Sequence, residues 1–314
     1  MPLPSIDSRK LIRALARMPS LRLPIPARIV EVLLAARRRA ARLRRGSVQI
    51  DGFTIPYLEG GRGETVVLLH GFGDSKDSFV DAVHPLLAHH RVVMPDLPGF
   101  GEATYDPSFD HRLAHLAAIL GRFIAGLGAE RVHLVGNSLG GALALRLAID
   151  HPERFASLAL IDAAGVEQPT PSPLQRKLDA GENPFVLGAL EEYDAWIAFV
   201  MQRVPPMPWG VRRHLARAFL ARAPIHAKVM DDLLRHEDDE LTGELDRVRT
   251  PTLILWGSED RLIDVSSAHV MQQRIPGAKL VVLHGVGHCP QYELPDRTGE
   301  LLDAFAREHA STQR

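Results

Sequence analysis

From Val48 onward, short apolar runs alternate with amphipathic stretches. VQIDG and FTIPYLEG read as the two strands of an antiparallel hairpin that turns at Asp51-Gly52. Six longer apolar runs follow: TVVLLHG (65–71), RVVMPDLPGFG (91–101), RVHLVGNSLGG (131–141), ASLALIDAAG (156–165), TLILWGSED (252–260) and KLVVLHGVGH (279–288). Runs without polar alternation are strands buried on both faces. Helical spacing marks 108–127, 140–150, 265–275 and 294–308 between them. This alternation predicts an α/β protein with a mostly parallel central sheet flanked by helices.

The rhythm breaks twice. Residues 166–246 open on the proline-rich EQPTPSPLQ and continue as amphipathic helical stretches carrying Phe185, Trp196, Phe199, Trp209 and Phe219. They read as a helical cap inserted after the sixth strand, over the strand ends. At the other break, residues 1–46, Leu11, Ile12, Leu15 and Met18 fall at helical spacing among arginines and a lysine. A second helical candidate covers 27–45, with Gly46 as its stop. The expected organisation is an arm at 1–46, a core at 47–165 and 247–314, and the cap between them.

Composition adds two constraints. The 314 residues are 46% hydrophobic and 24% charged, which suits a folded globular chain and excludes a disordered one. The single cysteine, Cys289, excludes an internal disulfide and reads as a small buried filler. Charge is unevenly spread: residues 1–45 hold 12 basic and 2 acidic groups, the other 269 residues 25 basic and 36 acidic. The arm therefore suits an anionic membrane surface, packing on the acidic body, or a homodimer contact. It carries no aromatics, so nucleic acid is not expected. Arginines break every apolar run near the start, so no secretory signal or plain transmembrane helix is expected. The location expected is cytoplasmic or peripheral at a membrane.

The candidate chemistry sits where strands end. Gly136-Asn137-Ser138-Leu139-Gly140 follows a strand and opens a helix. That is the setting a G-x-S-x-G nucleophile turn requires. The two glycines keep side chains out of the bend, and the Leu139 N–H points where an oxyanion would form. Serine is a weak nucleophile at neutral pH and needs a base. His288, just past the last strand, is the first candidate, with His284 as its rival. An acid must orient the base. Asp260 ends the fifth long strand, with Glu259, Asp264 and Asp162 as rivals. The loop His70-Gly71-Phe72-Gly73-Asp74 would supply the second oxyanion donor through the Phe72 N–H, while His70 itself reads as structural. His89, His90, His111, His115 and His151 read as solvated or capping histidines. Trp196 and Trp209 are cap candidates for substrate contact. No G-x-G-x-x-G or P-loop follows a strand, and His284 and His288 share no helix face, so no cofactor or metal is expected.

HGFGDS, PDLPGFG, GNSLGG, WGSEDR and GVGHCPQYELP, in this order, resemble the α/β-hydrolase superfamily. They are most similar to its lipase and carboxylesterase branch with a helical cap, close to monoacylglycerol-lipase-like proteins. The resemblance covers about 50 to 310. It implies Ser138 as nucleophile, His288 as base, Asp260 as acid, and Phe72 and Leu139 as oxyanion donors. The substrate it implies is a hydrophobic or lipid ester. A serine nucleophile departs from the haloalkane dehalogenase and epoxide hydrolase branches, and HGFGDS lacks the HGGPG of proline iminopeptidases. Two readings stay beside ester hydrolysis: a C–C bond hydrolase of the meta-cleavage type and a non-catalytic binding protein.

Overall fold

The computed structural model describes residues 25–185, 187–235 and 240–310. Eight strands form one sheet: β1 (Arg44–Ile50), β2 (Phe53–Gly61), β3 (Thr65–Leu69), β4 (Arg91–Pro95), β5 (Val132–Asn137), β6 (Phe155–Ile161), β7 (Thr252–Gly257) and β8 (Lys279–Leu283). Their spatial order is β1-β2-β4-β3-β5-β6-β7-β8. β2 pairs antiparallel with β1 and β4, and every other pairing is parallel. The hairpin turns as its sequence requires: Asp51 (φ 49°) and Gly52 (φ 86°) both take positive φ, the geometry that matches strand twist.

The central strands β3 to β7 are largely apolar because both their faces are covered, while β1 at the edge is mostly exposed. Val66 and Leu68 of β3 join one layer with Val92, Met94 and Phe305. Their neighbours Val67 and Leu69 join the opposite layer with Leu116 and Leu143. Helices α2 (Leu113–Ala125), α3 (Leu139–Asp150), α8 (Ser266–Arg274) and α10 (Pro295–Glu308) flank the sheet, near the predicted spans. The turn α9 (Pro290–Glu293) precedes the last of them. Between β6 and β7 lie α4 (Pro173–Asp179), α5 (Glu192–Val200), α6 (Trp209–Ala221) and α7 (Ala223–Leu234).

The basic arm differs from expectation. The predicted helix at 8–18 lies outside the described residues. The second, α1, covers Ala27–Ala40 and stops before Gly46. Arg42 turns the chain at φ 57°, and sheet pairing begins at Arg44, so Gly46 sits inside β1 where the Tyr57 ring crosses it. α1 is also clamped to the body. Arg37 donates to both Asp81 oxygens at 3.2 and 2.9 Å, and Arg38 to both Asp77 oxygens at 2.6 Å. Two-pronged guanidinium–carboxylate pairs are geometrically specific and stronger than single contacts. The Arg38 pair is largely shielded from water. Replacing Arg38 by Ala strands Asp77 and should lower unfolding free energy by about 2–3 kcal/mol. The exposed Lys279–Glu308 pair, removed by Lys279→Ala, should shift it by no more than about 0.5 kcal/mol. Urea denaturation of both variants checks this; equal losses would contradict the clamp.

Candidate active site

The bend between β5 and α3 is centred on Ser138, whose backbone is neither helical nor extended (φ 55°, ψ −119°). A non-glycine residue held there costs about 1–3 kcal/mol, and surrounding bonds must hold it. They do. The Ser138 N–H donates to Ile161 O at 3.0 Å, and Ser138 O accepts from Ala142 N at 3.0 Å and Ala164 N at 3.1 Å. The glycines permit close backbone approach. A Cβ at Gly136 would lie 2.0 Å from Gly140 O, and one at Gly140 2.3 Å from Leu69 O.

His288 reaches this bend from the loop after β8. Its ring Nδ1 lies 2.7 Å from Asp260 Oδ2, with both groups buried. An ionised carboxylate only accepts, so Nδ1 carries the proton and a neutral ring leaves Nε2 free as a base. Asp260 Oδ1 accepts from Leu262 N at 2.7 Å and Ile263 N at 3.1 Å, which fixes the carboxylate plane. Asn137, one residue before Ser138, donates from Nδ2 to His288 O at 3.1 Å and accepts from Gln291 Nε2 at 3.0 Å. The residue beside the serine thereby ties down the histidine loop, a role that the motif spacing alone does not signal.

The rivals are placed elsewhere or differently. His284 and Glu259 are exposed, and Asp264 accepts from the Ser266 N–H of α8 at 2.9 Å. Asp162, after β6, is buried against Asp260. Asp162, Asp260 and His288 offer ligand-type atoms within 4.8 Å of one another, but Asp260 Oδ2 and His288 Nδ1 already bond each other.

The loop after β3 lies on the bend: a Cβ at Gly71 would sit 3.1 Å from Ser138 Cβ. His70 is structural as expected. Leu97 N donates to its Nε2 at 3.0 Å, so its proton is on Nδ1, which donates to Gly71 O at 2.7 Å. Burial pushes its pKa down and keeps it neutral. No turn or loop bond among the described residues takes the Phe72 N–H, and Leu139 opens α3, where amides lack helical acceptors. Asp74, closing this loop, accepts from Tyr292 Oη at 3.0 Å and links it to the segment after His288.

Side chains from the 166–246 insertion cover this loop. The Phe72 ring lies 5.2 Å from Phe185 and 5.5 Å from His226, and Phe185 lies 4.8 Å from Trp196. Phe219 packs 4.7 Å from His226 and against Gly73. Trp209 stands outside this aromatic run, with the Arg213 guanidinium 5.5 Å above its ring. The insertion also touches the histidine loop, where Val200 O accepts from the His288 N–H at 3.0 Å.

Two histidines depart from the surface role expected of them. His111 is buried, and Asp232 accepts from both its N–H (3.0 Å) and its Nδ1 (3.1 Å). His90 is buried beside His133, ring centres 5.5 Å apart. Sequence position gave both away only as chain turns; the layers that cover them come from distant segments. His133 also lies 2.8 Å from Ser157 Oγ and 3.2 Å from Glu64. This serine–histidine pair lies within paired strands β5 and β6, both residues buried and Ser157 without positive φ. It carries the partners of a base but lacks an exposed serine.

His226 was not singled out by any motif. Burial, then the Arg222 charge, lowers its pKa to about 4. It folds neutral, whereas the unfolded histidine protonates near 6.5. Its contribution to stability is therefore present above about pH 6.5 and lost as pH falls toward 4. His226→Phe should flatten that part of the wild-type pH–stability curve; an unchanged slope would contradict the buried neutral ring. At the bend, Gly140→Ala should lower stability by about 3 kcal/mol or more, since backbone carbonyls cannot yield. Thermal melts reporting a loss under about 1 kcal/mol would refute the close approach.

Residues 64–295 match the family model for the alpha/beta hydrolase fold. Lipase 1 of Psychrobacter immobilis is 30% identical over 261 residues, 81% of each chain. A monoacylglycerol lipase of Xenopus laevis is 26% identical over 304 residues, 92% of this chain and 89% of that one. A crystal structure of a membrane phospholipase A superposes with a TM-score of 0.88 at 36% identity, covering 96% and 97% of the two chains. A relative of different chemistry, 2-hydroxy-6-oxo-6-phenylhexa-2,4-dienoate hydrolase of Comamonas testosteroni, is 29% identical over 270 residues, 82% of this chain and 93% of that one. With its family model, its eight-stranded sheet and its lipase relatives in agreement, this chain belongs to the α/β-hydrolase fold family.

Proposed function

We propose that the protein is a serine ester hydrolase acting on hydrophobic or lipid esters. The observation that carries this is the buried His288–Asp260 pair, 2.7 Å long, at the strand ends beside the strained Ser138. Ser138 Oγ attacks the ester carbonyl while His288 Nε2 takes its proton. The Phe72 and Leu139 N–H groups hold the oxyanion, and His288 returns the proton to the leaving alcohol. Water, activated by the same nitrogen, then releases the acid and regenerates Ser138. The aromatic run from Phe72 through Phe185 to Trp196 supplies an apolar wall suited to an acyl chain. In this reading residues 166–246 form a cap over the catalytic centre. Lipase, monoacylglycerol lipase and phospholipase relatives support the ester class, while a dienoate hydrolase relative keeps carbon–carbon cleavage as the alternative.

The arm side of the molecule suits an anionic membrane. Ile29 and Val32 are exposed on α1. Beside it, Arg39, Arg42, Arg44, Arg62 and Arg91 line a cleft of about 420 Å³ around one carboxylate, Glu59. Among the described residues Arg44 and Arg91 pair with Glu59, at 3.1 and 3.2 Å, leaving three guanidinium groups toward solvent. Juxtamembrane cations attract anionic headgroups by about 1 kcal/mol each. No helix among the described residues is long and apolar enough to cross a membrane.

Two measurements test this reading. Purified protein should hydrolyse p-nitrophenyl esters and monoacylglycerol, and Ser138→Ala should cut turnover by about 10⁴ to 10⁶. Ester activity surviving in Ser138→Ala refutes the nucleophile; cleavage of a dienoate ketone but no ester favours the carbon–carbon reading. Vesicles rich in phosphatidylglycerol should co-sediment the full chain, and Arg39→Glu with Arg42→Glu and Arg62→Glu should weaken this by about tenfold or more. Equal co-sedimentation would remove the membrane contact from this face.

A further inference from the structure

The Ser138, Asp260 and His288 assignment leaves one buried acid unused. Asp162 follows β6 directly in a left-handed conformation (φ 43°) and is fully shielded from water. Its Oδ1 accepts from the Gly257 N–H at 2.8 Å. Among the described residues no N–H or hydroxyl reaches its Oδ2. Beside it lies the Asp260 carboxyl, an oxygen of each lying within 4.8 Å of the other.

Donor counting decides the charge. Asp260 accepts three N–H bonds: Leu262 and Ile263 on Oδ1, His288 Nδ1 on Oδ2. A carboxylate has about four lone-pair sites, so one remains. Asp162 accepts a single N–H. Two buried carboxylates this close resist joint ionisation, and the proton favours the one with fewer donors. Burial first, then the Asp260 charge, holds the Asp162 pKa far above the ordinary carboxyl range. Glu293 on α9 faces it as a further acid, and buried Cys289 lies nearby.

We propose that Asp162 is a positioning residue that acts as a neutral carboxylic acid, donating its O–H to Asp260 and thereby keeping a single negative charge behind His288. The donated bond completes the acceptor shell of Asp260 and holds its carboxylate in the plane of the imidazole N–H. Loss of the Asp162 proton would place a second anion against Asp260 and disturb that alignment. Activity should therefore fall at alkaline pH as Asp162 ionises. Stability follows the same sign. The unfolded aspartate is ionised above about pH 4, while the folded one retains its proton. This group's contribution is present below that pH and is lost as pH rises through the folded pKa.

The inference rests on the Ser138–His288–Asp260 reading, and the experiment separates the two. Asparagine tolerates positive φ and presents an N–H in place of the acid proton. Asp162→Gly, which also tolerates the backbone, removes the donor. Asp162→Gly should lower kcat by about 10-fold or more with KM little changed, and Asp162→Asn should recover kcat to within about threefold at pH 7. In Asp162→Asn the alkaline limb of kcat/KM should move up by at least about one pH unit, while the acid limb stays in place. Infrared spectra at pH 7 should show a protonated-carboxyl band in wild type that both variants lose, a readout that needs no turnover. An Asp162→Asn enzyme as impaired as Asp162→Gly, an unmoved alkaline limb, or a band that persists in both variants overturns the proposal. If Ser138→Ala is inactive in the same assay, that failure belongs to Asp162 alone; if Ser138→Ala stays active, both readings fall.

Discussion

The whole arrangement depends on one strained peptide. At Ser138 the chain leaves β5 and enters α3 with a backbone that an L-residue does not adopt freely. That geometry survives because the sheet over-determines it. β6 accepts the Ser138 N–H through Ile161, Ala142 and Ala164 donate to its carbonyl, and glycines at 136 and 140 let neighbouring backbone come within van der Waals contact. A bulkier residue at either glycine would push the bend out of line. The hydroxyl's position is thus a consequence of packed main chain and owes little to its own hydrogen bonds.

Everything else near the bend is fastened to it by buried polar bonds. Asn137 joins it to the His288 loop and Gln291, Asp74 joins the Phe72 loop to Tyr292, and Lys76 with Asp96 at 2.9 Å anchors that same loop to the segment after β4. Removing one partner of such pairs leaves an unsatisfied buried group, so they enforce geometry more than they add net stability. The helical insertion brings aromatic surface over this polar frame. Exclusion of water there strengthens each interaction that the chemistry would use. At the far side, α1 is clamped by Arg37 and Arg38, so any surface to which its exposed arginines bind would have a fixed orientation toward the body.

The sheet was legible because its central strands are apolar on both faces and are followed by punctuating glycines, and because Asp51-Gly52 marks the hairpin turn. Ser138, His288 and Asp260 could be proposed from sequence because each follows an apolar run, in the turn or loop beyond β5, β8 and β7. Helix ends in the arm were not: Arg42 adopts positive φ without being glycine or asparagine, and no local pattern announces this. The burial of His90 and His111 was hidden for a related reason, since their covering partners lie far away in sequence, as Asp232 does for His111. The neutral state of Asp162 needs three-dimensional proximity to Asp260, which spacing along the chain cannot reveal. Trp196 and Trp209 looked alike in sequence; only tertiary contacts set one in the aromatic run and the other beneath Arg213.

The most direct test of the central claim is covalent labelling with a fluorophosphonate followed by peptide mass spectrometry. A polarised serine reacts as a nucleophile, whereas an ordinary one does not. The account predicts a single adduct on Ser138, absent in Ser138→Ala and slowed by about 10³ or more in His288→Ala. No adduct in the folded protein, or an adduct on Ser157 beside His133, would contradict it.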